Sequence, residues 1–283
     1  MARKVYSYVE VEKSNKKSTP TQNVGVVSKQ KNNKDSKKEK NVGTSIFIFF
    51  AILVIMSLAI GVVFSPTFDV TGIVTYDGVN VSSGEISNIA NVNIGENILK
   101  QNYRAIKESV SAIPYIKSVN IKLLFPDKIE IRYEEREPYA LGKYLESYVV
   151  IDKFGYLLEI KKENDLTDLP VIYGIELENC ELGEMLKDTD RIKYQNVVML
   201  LETAKQRDFQ YNIYEIDYEK ISEVKFWVKD FDIDIIYGDI DKNLIADKLN
   251  YLSEVLKKLN GKKGKLNISS DNYLEKTIFT ERY

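Results

Sequence analysis

The sequence predicts an α+β protein with three parts: a single N-terminal transmembrane helix, a small domain, and a larger, mostly antiparallel β domain with packed helices. An uncharged apolar run near the N-terminus indicates the helix. Residues 67–139 follow the order strand, helix, helix, strand, strand, which defines the small domain. Several short β-rich runs in residues 140–283 indicate the β domain.

The apolar run covers nineteen uncharged residues from Ile46 to Phe64. At about 1.5 Å of rise per residue it spans roughly 30 Å, the thickness of the hydrocarbon core of a bilayer. Its Ile, Leu, Val and Phe residues together favour insertion by about 4–8 kcal/mol. A secretory signal peptide is the alternative, but the charged segment before the run is long and no A-x-A cleavage site follows. We therefore predict an uncleaved transmembrane helix over residues 44–66.

Residues 1–43 form a basic tail. Eleven Lys or Arg and four Asp or Glu lie in residues 1–40, a net charge of +7, whereas the rest of the chain carries 29 and 38, a net charge of −9. Basic segments stay on the cytoplasmic side, so we expect a single-pass protein of the cell membrane with its C-terminal domains outside. The tail has no apolar period and is predicted to be disordered. Nucleic-acid binding is the alternative explanation of the lysines, but membrane orientation already accounts for them.

The small domain begins with a β-rich run from Phe68 to Tyr76 that ends at a turn. Ser82 and Glu85 have the spacing of a capping box and predict a short helix. A second helix is predicted from apolar positions three and four residues apart, at Tyr103, Ile106, Val110 and Ile113, and Pro114 ends it.

A hairpin follows, with the cleanest alternation in the chain. Apolar residues occupy every second position on both sides of a turn, at Val119, Ile121, Leu123, Ile129, Ile131 and Tyr133. Period-two alternation is typical of a strand with one buried and one solvated face. The two helices are therefore expected to cover one face of a three-stranded sheet.

Three segments of this region carry a resemblance to a known family: Ile113-Pro114-Tyr115-Ile116, Phe125-Pro126-Asp127 and Glu135-Arg136-Glu137-Pro138-Tyr139-Ala140. In this order behind a membrane anchor they resemble the POTRA domain of the FtsQ/DivIB bacterial cell-division proteins. In that family an E-R-x-P-x-A segment closes the POTRA sheet and leads into a second domain. The resemblance implies this role for Glu135, Arg136, Pro138 and Ala140.

The second half continues the resemblance. Residues 149–157 contain an I-D-x-x-G turn between two strands, and residues 169–174 resemble an L-P-x-x-x-G segment. A helix between Asp188 and Arg207 is predicted to precede strands at residues 213–216, 223–228 and 231–237. A second helix carries an apolar stripe at Ile245, Leu249, Leu252, Leu256 and Leu259. The stripe spans barely two heptads, so it favours packing on a sheet over a coiled coil.

The chain closes with Lys265-Leu266-Asn267-Ile268-Ser269, which resembles the penultimate strand of the family, and with a last run from Tyr273 to Thr280. Asn267 departs from the Asp that relatives commonly have. A terminal strand leaves unpaired backbone groups that can add the strand of a partner. The candidate partner-binding residues are Leu266, Ile268, Tyr273, Ile278 and Phe279. The alternative is that the aromatic residues pack on the helix at residues 243–259.

The residue types available argue against catalysis. The chain has no histidine and a single cysteine, Cys180, which removes His-dependent nucleophilic catalysis and most zinc sites. Cys180 lies among acidic residues and is expected to be inert. A glycosidase needs only two carboxylates, and Asp232 and Asp234 lie on one face of a predicted strand. A solvated face explains this pair better, so we predict no enzyme activity, cofactor, metal site or small-molecule substrate.

The predicted function is a bitopic divisome scaffold that helps to assemble the septal complex for cell-wall synthesis. The resemblance implies that the C-terminal region binds FtsB/DivIC-like and FtsL-like bitopic coiled-coil proteins, and that the POTRA domain contacts further division proteins. It also implies concentration at the division septum. Two alternatives stay open: a membrane-anchored cell-wall hydrolase, and a POTRA protein of an export or assembly system.

Overall fold

The computed structural model describes residues 42–163, 168–177, 181–209, 211–220, 222–229, 231–259 and 261–282. Almost all of the predicted basic tail lies outside these residues, and so does Cys180. The expectations for both therefore stay predictions.

The predicted apolar helix is confirmed as α1, Val42–Val63. Residues Gly43–Val63 have a mean hydropathy of 3.1 and are long and apolar enough to cross a membrane. A division between two compact units falls after Ile55, within this helix, and the second unit extends from Met56 to the C-terminus.

The small domain has the predicted order of elements: β1 Gly72–Val74, α2 Ser83–Ile89, α3 Tyr103–Ser111, β2 Ile116–Leu124 and β3 Lys128–Glu135. Its sheet has the order β1-β3-β2, with β1 parallel to β3 and β2 antiparallel to β3. The predicted cap is present, because the Ser82 hydroxyl accepts a hydrogen bond from the Glu85 N–H at 3.2 Å. The first strand is shorter than the run from Phe68 to Tyr76. Phe68 ends a 3-10 helix, Pro66–Phe68, and the backbone of Val70 bonds to Gly95 and Glu96 instead of to β3.

In the described part of the chain, the larger domain is built on one nine-stranded sheet. Its elements are β4 Pro138–Tyr144, β5 Ser147–Asp152, β6 Leu157–Lys162, β7 Val171–Tyr173, α4 Asp188–Gln206, β8 Ile213–Asp217, β9 Val224–Val228, β10 Ile233–Gly238, α5 Ile245–Lys258, β11 Gly264–Asn267, α6 Tyr273–Lys276 and β12 Ile278–Glu281. The strand order is β12-β11-β10-β9-β8-β7-β4-β5-β6. Five of the eight strand pairs are antiparallel, so the predicted fold class is confirmed.

The last run of the sequence is divided rather than continuous. Tyr273 begins the short helix α6, and only Ile278–Glu281 form the terminal strand β12. Tyr273 is therefore separated from the strand that was expected to present it.

Among the described residues, the core consists of two clusters that meet at strands β4 to β6. Helices α4 and α5 cover one face of the large sheet, and their apolar residues join the first cluster. The second cluster belongs to the small domain but also contains Leu141, Tyr148, Val150 and Leu158 from β4, β5 and β6. Adjacent residues of a strand point to opposite faces, so Val149 and Val150 serve different clusters. Strand β5 is buried on both faces, which explains why it reads as a continuous apolar run.

Candidate protein-binding site

Strand β12 forms one edge of the nine-stranded sheet. It pairs antiparallel with β11, so that Ile278 lies opposite Asn267 and Phe279 lies opposite Leu266. In the part of the chain that the structure describes, no strand pairs with the other side of β12. Its outer backbone groups are therefore available to a strand of a partner.

The candidate residues differ in what they can offer to a partner. Leu266 and Ile268 are fully buried in the core under α5, and Tyr273 is only 8% exposed. The Tyr273 ring contacts the Tyr251 ring of α5, with 5.2 Å between ring centroids. Tyr273 therefore packs on helix α5, as the alternative expected, because its ring contacts Tyr251.

Two of the predicted residues lie at the edge itself. Ile278 is 61% exposed. Phe279 is partly buried against the core, and the Lys262 ammonium lies 5.9 Å from its ring centroid. Leu274 in α6 is a further exposed apolar residue that sequence reasoning missed, although it stands within the last apolar run. Exposed apolar side chains beside an unpaired strand edge are suited to hold a partner segment.

Polar contacts fix β12 on β11. The N–H of Arg282 donates to the carbonyl of Lys263 at 2.9 Å, and the Arg282 side chain pairs with Asp232. Lys263 also pairs with Asp232, at 3.1 Å. The hydrogen bond from Lys263, with the Arg282 charge, holds the pKa of Asp232 below its ordinary value. The edge strand is thus tied to Asp232, the residue immediately before β10 begins.

These contacts also bear on the hydrolase alternative. Asp232 is engaged by two cations, and Asp234 accepts a hydrogen bond from the Trp227 indole N–H at 2.8 Å. Both carboxylates lie on the solvated face, as predicted. Among the described residues, no cluster of His, Cys, Asp or Glu could hold a metal ion. The geometry of this pair is that of a structural ion-pair network.

Glu135, the first residue of the E-R-x-P-x-A segment, binds backbone groups within the small domain. Glu135 at the end of β3 accepts hydrogen bonds from the backbone N–H groups of Asn80 and Val81, at 2.9 and 3.0 Å. A Cβ added to Gly78 would lie 1.7 Å from the Glu135 carboxylate, so a side chain at residue 78 would displace this carboxylate from its two N–H donors. Glu135 therefore fixes the loop between β1 and α2.

The next residue reaches the larger domain. The Arg136 guanidinium forms an ion pair with Asp152 at 2.9 Å, and the two side chains are 12% and 3% exposed. It also stacks on the Tyr156 ring, 3.4 Å from the centroid. Asp152 accepts hydrogen bonds from the Phe154 and Tyr156 N–H groups, both at 2.8 Å. The E-R-x-P-x-A and I-D-x-x-G segments are thus joined through one buried ion pair.

Sequence reasoning identified both segments but not this pairing. The remaining motif residues continue into the large sheet, since Pro138 begins β4 and Ala140 is fully buried in its core. Tyr115 adds a second connection, because its hydroxyl donates to Glu159 of β6 at 2.7 Å. Burial and the bond to Glu159 raise the pKa of Tyr115. The motif therefore connects two domains in addition to ending one sheet.

A buried lysine was also missed. Lys248 of α5 is 4% exposed, and its ammonium lies 4.4 Å from the Tyr237 ring centroid and 5.9 Å from that of Tyr273. Burial lowers the pKa of Lys248, and the charges of Asp271, Asp239 and Asp241 oppose this effect. In the sequence Lys248 looks like any polar residue beside the apolar stripe.

Comparisons with known proteins agree with this architecture. Residues 77–136 match the family model of the POTRA domain, FtsQ-type. Cell division protein DivIB of Clostridium botulinum (strain Loch Maree / Type A3) is 27% identical over 249 residues, which cover 87% of this chain and 94% of the relative. DivIB of Clostridium acetobutylicum (strain ATCC 824) is 28% identical over 72% of this chain and 80% of its own. Cell division protein FtsQ of Geobacter sp. (strain M21) is 27% identical, over 70% of both chains.

The fold and the matched domain define the class: a POTRA-domain protein with an N-terminal apolar helix that fits a single-pass membrane anchor. The similarity to DivIB and FtsQ proteins extends over most of the chain. The predicted resemblance to the FtsQ/DivIB family is thereby confirmed.

Proposed function

We propose that this protein is a non-enzymatic, bitopic scaffold of bacterial cell division, which binds other division proteins and helps to assemble the septal complex for cell-wall synthesis. The observation that carries the proposal is the outer edge of β12, which pairs with no strand among the described residues, together with the exposed Ile278. The similarity to proteins named for cell division supports the biological setting.

Binding takes place by addition of a partner strand to β12. The backbone groups of β12 supply the hydrogen bonds, and the exposed side chains of Ile278 and Leu274 supply apolar contacts. Phe279 contributes its exposed part. Leu266, Ile268 and Tyr273 support the edge from within the core and do not touch the partner. The partners are the FtsB/DivIC-like and FtsL-like bitopic coiled-coil proteins that the family resemblance implies.

The proposal retains the predicted organisation of the chain. Residues 1–43 are cytoplasmic, residues 44–66 cross the cell membrane, and the POTRA domain at residues 67–139 and the β domain at residues 140–283 are extracytoplasmic and concentrated at the septum. The charge asymmetry between the tail and the remainder of the sequence supports this orientation.

The proposal is tested by co-purification of partners from membranes with the full-length variant Ile278→Asp. Because Ile278 is 61% exposed, the substitution leaves the core intact while placing a charge on the binding edge. Ile160→Asp is the matched control, since Ile160 is 53% exposed on β6, the opposite edge of the same sheet. We expect Ile278→Asp to lose the FtsB/DivIC-like and FtsL-like proteins and Ile160→Asp to retain them.

Phe279→Asp provides a second variant on the same strand and should show the same loss. Recovery of both partners at the wild-type level with Ile278→Asp and Phe279→Asp would exclude β12 as their docking edge. Loss with Ile160→Asp alone would move the binding site to β6.

A further inference from the structure

The end of the apolar helix is tied to the POTRA domain by side-chain and backbone hydrogen bonds. Asn97, which is 6% exposed, donates from its side-chain amide to the carbonyl of Val63 at 3.0 Å. Its side-chain oxygen accepts the N–H of Leu99 at 3.0 Å. The N–H of Ile98 donates to the carbonyl of Phe68 at 2.8 Å. The turn at residues 97–100 is therefore held directly against Val63, the last residue of α1.

This turn and its neighbours expose apolar side chains that the protein core does not use. Phe64, Leu99 and Phe125 are 53%, 47% and 60% exposed. We call these three residues the membrane-proximal rim. The Phe125 ring contacts Phe68, with 6.2 Å between centroids, and the Lys100 ammonium lies 5.4 Å from the Phe64 ring centroid. Aromatic side chains beside a lysine are typical of the boundary between lipid tails and headgroups.

We infer that the membrane-proximal rim rests in the headgroup region of the bilayer, with Lys100 directed to lipid phosphates, so that the POTRA domain lies on the lipid surface. The occupant is lipid because Phe64 directly follows Val63, the last residue of the apolar helix α1, and the turn that carries Leu99 is bonded to Val63. Exposed apolar area of this kind is unfavourable in water and favourable at a membrane interface. The inference rests on the membrane anchor of the proposed function and is independent of partner binding at β12.

The test uses the full chain reconstituted into vesicles of phosphatidylcholine and phosphatidylglycerol whose acyl chains carry bromine near the headgroups. Trp227, the only tryptophan, is replaced by Phe, and single tryptophans are introduced at exposed positions by Leu99→Trp and Phe125→Trp. Val79→Trp is the control within the same domain, because Val79 is 94% exposed. Its neighbour Asn80 is bound by Glu135, the last residue of β3, whereas the turn that carries Phe125 precedes Lys128, the first residue of β3. The control therefore lies at the opposite end of β3 from the rim. Phe50→Trp reports on the anchor itself.

We expect bromine to quench the tryptophan fluorescence of Leu99→Trp and Phe125→Trp, and we expect their emission to lie at shorter wavelength. The fluorescence of Val79→Trp should be the same in vesicles with and without bromine. If Phe50→Trp is quenched but both rim variants are as unquenched as Val79→Trp, the inference is wrong while the membrane anchor is supported. An unquenched Phe50→Trp would overturn the anchor and the inference together. Partner recovery with Ile278→Asp is measured separately, so its failure would not be confused with either outcome.

Discussion

Arg136 shows how a single residue can connect two domains. Its charge is almost completely removed from water, and removing a charge from water costs several kcal/mol unless a partner and hydrogen bonds compensate. Asp152 compensates this cost through an ion pair, and the Tyr156 ring compensates it through a cation–π contact. The arrangement is therefore strongly sensitive to loss of one partner.

Arg136→Ala is expected to lower the free energy of unfolding by about 3–5 kcal/mol, because it leaves the Asp152 carboxylate buried without a counter-charge. Urea unfolding followed by circular dichroism measures this loss. Arg104→Ala is the control, since Arg104 is 88% exposed in its pair with Glu108 and should cost less than about 1 kcal/mol. Equal effects of the two substitutions would contradict a structural role for the buried pair.

Lys248 leads to the opposite expectation. Burial lowers its pKa below the ordinary value of 10.5, so the charged form destabilises the folded state. Lys248→Met removes that charge and should raise the free energy of unfolding by about 1 kcal/mol at pH 7. Lys257→Met on the exposed face of α5 should change it by less than about 0.5 kcal/mol.

The pH dependence of the free energy of unfolding tests whether the charge of Lys248 destabilises the folded state. Between the lowered pKa and 10.5 the unfolded chain binds more protons than the folded chain, so Lys248 makes wild-type stability rise with pH. The advantage of Lys248→Met should therefore shrink as the pH is raised from 7 toward 10. Comparison with the variant cancels the opposing effect of the buried tyrosines. An advantage that grows with pH would contradict the lowered pKa.

At the scale of elements, β12 depends on one glycine of its neighbour. Gly264 in β11 has φ +154°, and a Cβ there would lie 2.1 Å from the carbonyl oxygen of Thr280. No side chain fits between the two strands at this point. The edge strand can pair with β11 only because residue 264 is glycine.

Gly264→Ala is expected to push β12 away from β11, to lower the free energy of unfolding by about 1–3 kcal/mol and to reduce partner recovery. Gly72→Ala is the control, because Gly72 is also in a strand but has no atom within 4 Å of an added Cβ. That change should be neutral or stabilising by up to about 1 kcal/mol. Thermal unfolding and co-purification from membranes measure the two effects, and a neutral Gly264→Ala would show that β12 is not held in this way.

The elements that the sequence predicted well are those with a local signal. The hairpin of β2 and β3 alternates because one face is solvated, and α5 carries its apolar stripe at helical spacing. Sheet order has no such signal, because β7 joins β4 and β8 through parallel pairs between distant segments. The same holds for the site. Tyr273 reads as an aromatic residue of a strand, and only its contact with Tyr251 shows that it belongs to the core.

At the scale of the whole molecule, the POTRA domain and the β domain share one hydrophobic cluster. Leu158 of β6 is 1% exposed and belongs to the same hydrophobic cluster as Ile106 and Val110 of α3 in the small domain. The Arg136 ion pair and the Tyr115 hydrogen bond cross the same junction. The two domains are therefore expected to respond together to a change at this junction.

Leu158→Ala should lower the free energy of unfolding by about 2–5 kcal/mol and, since Leu158 shares its hydrophobic cluster with Ile106 and Val110, accelerate hydrogen exchange in α3. Leu256→Ala is the matched control, because Leu256 is equally buried but belongs to the cluster under α5. The amide exchange rate of α3, measured by mass spectrometry under conditions in which both variants have the same free energy of unfolding, distinguishes the two variants. If α3 exchanges at the wild-type rate in Leu158→Ala, the domains are energetically independent. Faster exchange in α3 with Leu158→Ala than with Leu256→Ala identifies the shared cluster as the rigid connection between them.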